Sequence, residues 1–296
     1  MVVTTGFFDG VHLGHRHILN ELVSHAAGRG EESLVVTFWP HPRTVLQQDA
    51  RDLRLLSSLQ EKCGLIRGLG VDRVEVVPFT KEFSRLSTEE YIKDILKGRF
   101  GAKAVLLGYD NRMGHNGGSP DDIARIATEA GLEVIRPSSL AYGELPISST
   151  KIREALSGGD VKAASDMLGR PYSLHGVVVA GNRMGRTIGF PTANMKLYEP
   201  LKLIPAGGVY SVEVETLGQK YKGMCNIGVR PTIGKNEALT IETNIFDFSE
   251  DIYGLDITLR FMERIRSERR FSSMEELKRQ LELDKRNIID SSRGNA

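Results

Sequence analysis

The chain has 296 residues, space for two domains by the rough rule of about 150 residues each, and either half is long enough to bury its own core. Its 40% hydrophobic and 26% charged residues belong to a globular protein rather than a disordered or fibrous one, and a net charge of +1 excludes the positive excess with which a whole protein binds nucleic acid or an anionic membrane. Cys63 and Cys225 are too few and too far apart for a disulfide framework and form no C-x-x-C pair, so a reducing cytoplasm is the expected compartment.

Up to about residue 165, short β-rich runs alternate with helical patterns, the signature of βαβ units on a parallel sheet. The first predicted strand is Val2 to Thr5; neither a basic n-region nor an apolar h-region marks the N-terminus, and the apolar runs are strand-length, so export and membrane insertion are not expected. The run Gly6-Phe7-Phe8-Asp9-Gly10-Val11-His12-Leu13-Gly14-His15 follows, between that strand and the first helix, where a parallel sheet places its ligands. Gly6, Gly10 and Gly14 permit tight turns and close approach of a phosphate, and a helix N-terminus offers N–H groups and about half a positive charge, so this run, with Phe7 and Asp9, is the expected phosphate site. His12 and His15, three apart at the helix entry, share one side, from which imidazoles can donate to an α-phosphate and a departing pyrophosphate. Two other readings stand beside this one: helix-surface histidines, or a metal site completed by His17, which would need ligands from elsewhere.

Further strands are predicted at Ser33 to Phe38, Arg73 to Val77, Lys103 to Leu107 and Glu133 to Arg136. Helix starts are marked by Ser58 with Glu61, by Ser87 with Glu90, and by Ser119-Pro120-Asp121-Asp122. At Ile147-Ser148-Ser149-Thr150-Lys151-Ile152-Arg153, hydroxyls at a helix start and an arginine one turn on can hold phosphate oxygens: Ser149 and Thr150 by their hydroxyls, Arg153 as a charge-assisted clamp. Helical pattern ends near Gly169-Arg170-Pro171, which divides the chain into domains 1–169 and 170–296.

The C-terminal half changes texture. Stretches at His175 to Ala180, Gly208 to Leu217, Gln219 to Ile227, Leu239 to Phe248 and Ile257 to Arg264, without helices between them, predict an antiparallel β-barrel, and Ser273 caps one last helix to about Ile289. Gly181, Gly185 and Gly189 make a pliable loop able to cover phosphates; the spacing is not that of a P-loop, and Arg186 stands where its lysine belongs. After Pro191, strand geometry puts Thr192 and Asn194 on one face, and two neutral oxygens suit a hard Mg²⁺ that bridges ATP phosphates.

These motifs carry a resemblance. The Gly6–His15 turn paired with Ser149, Thr150 and Arg153 resembles the nucleotidylyltransferase superfamily, and Thr37-Phe38-Trp39-Pro40-His41-Pro42, Phe83-Ser84-Arg85-Leu86-Ser87 and Gly108-Tyr109-Asp110 narrow it to the adenylyltransferase domain of bacterial FAD synthetases. Gly185-Arg186-Thr187-Ile188-Gly189-Phe190-Pro191-Thr192-Ala193-Asn194 resembles the signature of riboflavin kinases, and Thr240 to Phe248 places Glu242 at that family's catalytic glutamate. From Gly6 to about Asp284 the chain is similar to the bacterial bifunctional riboflavin kinase/FMN adenylyltransferase family.

The resemblance implies a Rossmann-like α/β N-terminal domain and a C-terminal barrel with a terminal helix. It implies riboflavin, FMN and ATP as small-molecule substrates, FAD as product and Mg²⁺ as cofactor, with no nucleic-acid or membrane partner and protein partners left open. Thr192 and Asn194 would hold Mg²⁺, Glu242 would be the base, and Asp110, Tyr253 and Arg266 would meet the flavin; Tyr253 reads equally as a core aromatic and Arg266 as a solvated charge. The sequence departs from the family at Asn111 to Gly118, where Phe-Arg-Phe-Gly and a basic loop are expected, at Asn244, where histidine is expected, and in starting only five residues before Gly6. The rival readings are a kinase with a weak or inactive adenylyltransferase domain, a flavin-nucleotide storage protein, and transfer of CMP to a phospho-alcohol.

Overall fold

The computed structural model describes residues 1–46, 52–108, 113–115, 117–138, 147–181, 184–230 and 238–293, and divides into two compact units, Met1–Ser149 and Thr150–Ala296.

The first unit runs β1 (Val2–Thr5), α1 (Leu13–Gly28), β2 (Ser33–Trp39), α2 (Pro42–Leu46), α3 (Leu59–Arg67), β3 (Arg73–Pro78), α4 (Thr88–Glu90, continued by a π-helical stretch Tyr91–Arg99), β4 (Ala104–Leu106), α5 (Pro120–Glu129) and β5 (Glu133–Ile135). All pairings are parallel, in the order β3-β2-β1-β4-β5. Alternation along the strands divides the apolar residues between two faces. Val3, Leu34, Val36 and Val105 meet Tyr91, Ile92 and Leu96 and Ile123 of α5 on one side. Val2, Val35, Ala104 and Leu106 meet Leu19 and Leu22 of α1 and Ile66 of α3 on the other. The chain leaves β1 toward β2 and returns to β4 on its opposite side, so the carboxyl ends of β1 and β4 flank the switch point where such sheets bind ligands. The helix starts are built as expected: Ser58, Ser87 and Ser119 each form a reciprocal capping box with the residue three positions on.

The second unit opens with α6 (Ser149–Gly158, its first residue falling in unit one) and α7 (Val161–Leu168). It continues with β6 (Tyr172–Val179), α8 (Met184–Thr187), β7 (Ala193–Leu197), β8 (Gly208–Thr216), β9 (Gln219–Arg230), β10 (Ala238–Ile245), β11 (Asp256–Arg266) and α9 (Met274–Arg293). The six strands close an antiparallel barrel in the order β10-β7-β6-β11-β8-β9, which leaves no open sheet edge. Strand β7 confirms the strand geometry expected after Pro191; its run, Ala-Asn-Met-Lys-Leu, lacks β-branched residues and is recruited by β6 and β10 on either side. Helix α9 extends four residues past the expected end and packs Leu281, Ile288 and Ile289 on Phe190, Val209, Met224 and Phe246.

Candidate active sites

The turn after β1 is conformationally demanding. Phe8, Gly10 and Val11 all have positive φ, at 53°, 77° and 40°, and a β-branched residue in that region is a genuine outlier held only by its surroundings. The surroundings are specific. Asp9, 4% exposed, accepts N–H bonds from Leu56 at 3.0 Å and Ser57 at 3.1 Å, and the Gly10 amide donates to Ser57 Oγ at 3.0 Å. The Asp9 carboxylate therefore anchors the chain before α3, a use that the expectation of a phosphate contact had not included.

At the entry of α1 the first four N–H groups lack helical acceptors. The His15 amide donates to His12 Nδ1 at 3.3 Å and the Arg16 amide to the His12 carbonyl at 2.9 Å; among the described residues, the amides of Leu13 and Gly14 have no partner. With Nδ1 accepting, the neutral His12 ring carries its proton on Nε2 and presents it as a donor. A Cβ at Gly14 would press on the His12 ring at 3.3 Å, so glycine keeps the two histidines together. Their rings stack with centroids 3.6 Å apart. Burial, reinforced by His12 and Lys62, holds the His15 imidazole well below its ordinary pKa, and its buried Nδ1 has no hydrogen-bond partner among the described residues. A neutral His15 can meet a phosphate without the desolvation cost of a second buried cation. His17 instead turns to the Ser138 carbonyl at 3.0 Å, and among the described residues no group of three or more His, Cys, Asp or Glu can hold a metal.

Ser149, first residue of α6, donates from Oγ to the Asp9 carbonyl at 3.1 Å; Thr150 and Arg153 follow on the same helix. Asp110 lies outside the described residues. Of the divergent 111–118 segment, Met113 is a core residue, 4% exposed, where the family pattern has an aromatic, so apolar packing persists there.

One functional group escaped the sequence reading. Lys62 of α3 is 1% exposed, donates to the carbonyls of Phe7 at 3.0 Å and Phe38 at 3.4 Å, and lies 3.8 Å from the Phe7 ring centroid. Burial lowers its pKa to about 8.

In the barrel, Glu242 of β10 lies in register with Asn194 of β7 and Asn226 of β9, which puts the three on one face. Thr192 Oγ1 donates to Glu242 Oε2 at 3.4 Å, and Asn244 Nδ2 to the Pro191 carbonyl at 2.7 Å, pinning the segment that carries Thr192. The glycine loop lies directly on these groups: a Cβ at Gly181 would fall 2.2 Å from Asn194 Nδ2, and one at Gly185 would fall 2.1 Å from the Phe190 carbonyl oxygen. Gly189 adopts φ +81° with open space around it. The donor set around Thr192 is all oxygen, two neutral side chains and one carboxylate, which fits a hard cation completed by water and phosphate. Burial pushes the Cys225 thiol up to about 12, which removes it as a nucleophile.

Two cavities meet at Thr192. One, about 390 Å³, is lined by Arg186, Thr192, Thr243, Ile245, Phe248 and Tyr253. The other, about 320 Å³, is lined by Thr192, Glu242, Asn244, Arg266 and, from α9, Met274, Leu277 and Leu281. Tyr253 and Arg266, grouped together on sequence, thus line different cavities. Arg266 is also engaged in an ion pair with Asp284 of α9.

Residues 1–151 match the family described as FAD synthetase, and residues 168–291 the family described as riboflavin kinase. The bifunctional riboflavin kinase/FMN adenylyltransferase of Bacillus subtilis is 38% identical over 295 residues, which cover 97% of this chain and 91% of that protein. The Escherichia coli K12 protein of the same name is 37% identical over 288 residues, 96% and 90% of the two chains. A crystal structure described as a macrolide-efflux protein from Streptococcus pneumoniae is 34% identical, with a TM-score of 0.89 over 96% of this chain and 92% of that one. Among the described residues, no helix of this chain is long and apolar enough to cross a membrane.

Proposed function

The chain belongs to the bifunctional riboflavin kinase/FMN adenylyltransferase family, and from that premise we propose that its barrel phosphorylates riboflavin to FMN while its α/β unit adenylylates FMN to FAD, ATP serving both. The observation that carries the reading is the placement of Thr192, Asn194 and Glu242 side by side where two cavities meet.

In the kinase step the flavin occupies the cavity walled by α9, and the nucleotide occupies the one lined by Tyr253, so that its γ-phosphate reaches Thr192. Glu242 accepts the proton of the ribityl 5′-hydroxyl as that oxygen bonds to phosphorus and ADP departs. Thr192 and Asn194 would hold a Mg²⁺ ion, which would supply charge neutralisation at the phosphates. The glycines at 181, 185 and 189 let the loop close over the nucleotide.

In the adenylyl step an FMN phosphate oxygen attacks the ATP α-phosphorus and pyrophosphate leaves from the opposite side. The open amides of Leu13 and Gly14, His12 Nε2–H and His15 meet the charge that develops, and Ser149, Thr150 and Arg153 hold the phosphates from the second helix start. No covalent enzyme intermediate is required.

Incubation with riboflavin, ATP and Mg²⁺, followed by chromatographic separation of the flavins, tests this reading. FMN followed by FAD is expected. FMN alone would assign the α/β unit a role other than catalysis, and no product would overturn both assignments.

A further inference from the structure

We propose that Lys62 is a positioning residue of the adenylyl-transfer site, its buried ammonium fastening the carboxyl ends of β1 and β2 together and setting a positive charge beside the phosphate-binding turn. The proposal rests on the reading of the α/β unit as the adenylyltransferase.

The geometry has three parts. First, Lys62 bridges two adjacent strand ends at the edge where the sheet binds ligands: the Phe7 carbonyl follows β1, and the Phe38 carbonyl lies within β2 next to its last residue. Second, the peptide it holds leads directly into the strained turn, since Phe8, next in the chain, has φ 53°. That turn persists only if its ends are fixed, and Lys62 fixes the end that Asp9 and Ser57 do not. Third, an ammonium has three donors, and two are taken by the carbonyls.

Among the described residues no carboxylate forms an ion pair with Lys62. The titratable groups around it are Asp9 on the turn, His15 with His12 stacked on it from α1, Cys63 on its own helix, and His41, whose ring meets that of Phe7 edge-on at 4.3 Å. The Asp9 carboxylate is hydrogen-bonded by the Leu56 and Ser57 amides, and its charge favours the Lys62 ammonium without forming an ion pair with it. A buried charge without a direct ion pair is costly for a fold to carry, and burial here outweighs the attraction of Asp9 and brings the pKa to about 8. Two carbonyls alone need only a neutral donor. An anionic substrate arriving at the turn adds counter-charge to that of Asp9, so nucleotide phosphates and the Lys62 proton stabilise each other.

The test is Lys62→Met in the full-length chain, which keeps the aliphatic stem and removes the charge and donors. FAD formation from supplied FMN is measured across pH 6.5 to 9.5, with FMN formation from riboflavin as the control within the same protein. For the wild type, kcat/KM for ATP in FAD formation should fall above pH about 8, because that ratio reports the free enzyme. The variant should be about 10- to 100-fold lower at neutral pH and lack that decline, with FMN formation unaltered. FAD formation unchanged in Lys62→Met, a decline above pH 8 that survives the substitution, or a loss matching only the unfolded fraction seen by circular dichroism would each overturn the proposal. A wild-type chain that makes FMN and no FAD would instead overturn the reading on which it rests.

Discussion

Arg266 and Asp284 meet through two N–H groups on one oxygen: Nε at 2.9 Å and Nη2 at 2.8 Å, both on Oδ2, while Gln280 Nε2 donates to Oδ1 at 2.8 Å. Asp284 is almost wholly buried, and the pair fastens α9 to the last barrel strand, so the helix that walls one cavity is held by a charge that also lines it. Arg266→Met should leave that carboxylate buried with only an amide partner and destabilise the barrel by about 3 kcal/mol, toward the low end for breaking a buried pair because Arg266 retains partial exposure. Because Met274, Leu277 and Leu281 move with the helix, KM for riboflavin should rise more than kcat falls. Urea unfolding and steady-state kinetics measure the two effects.

Glu242→Gln keeps the size and hydrogen-bonding reach of the side chain and removes its basicity. FMN formation should lose about 10²- to 10⁴-fold in kcat with little change in KM for riboflavin, the pattern of an interaction realised in the transition state. Initial-rate kinetics at saturating ATP decide it; an equal loss in KM and kcat would reassign Glu242 to binding.

Gly181→Ala should act through Asn194, whose amide occupies the space a methyl would enter. The variant should resemble Asn194→Ala in losing FMN formation while converting supplied FMN to FAD normally. His15→Ala should do the reverse, stopping FAD formation and sparing FMN formation. If a folded His15→Ala or Asn194→Ala protein lost both reactions, the two-site assignment would fail.

Stability of the α/β unit should rise with pH in two separate windows. His15 is held well below its ordinary value of 6.5, so beneath that pH the unfolded chain binds a proton the folded one excludes. Its contribution is complete above 6.5 and is lost as pH falls. Lys62 acts in the same direction higher up: between about 8 and 10.5 the folded lysine is deprotonated while the unfolded one is not, so stability climbs again. Thermal unfolding as a function of pH should show both slopes, with His15→Asn flattening the first and Lys62→Met the second.

Much of this arrangement was legible in the sequence, for physical reasons that differ by element. The parallel strands announced themselves because Val2-Val3 and Leu34-Val35-Val36 are apolar on both faces, as a doubly covered sheet demands. The Ser-x-x-Glu starts were readable because capping is local. Lys62 was missed because a lysine in a short amphipathic helix ordinarily faces water. The signal lay in its spacing: Lys62, Cys63 and Ile66 are the buried residues of α3, so the charge occupies the apolar stripe. That Tyr253 and Arg266 line different cavities was not legible either, since no local pattern reports which side of a closed barrel a rim residue lines.

Strand β10 carries a consequence of that closure. Glu242 and Asn244 line one cavity, and Thr243 and Ile245 line the other, so a single strand separates the two chambers and residue parity alone assigns each position to one of them. Substitutions along 242–245 should therefore alternate in which substrate they discriminate. An inhibitor built to reach both chambers would need to pass at Thr192, the residue their linings share, and resistance to it would require changes of both parities at once.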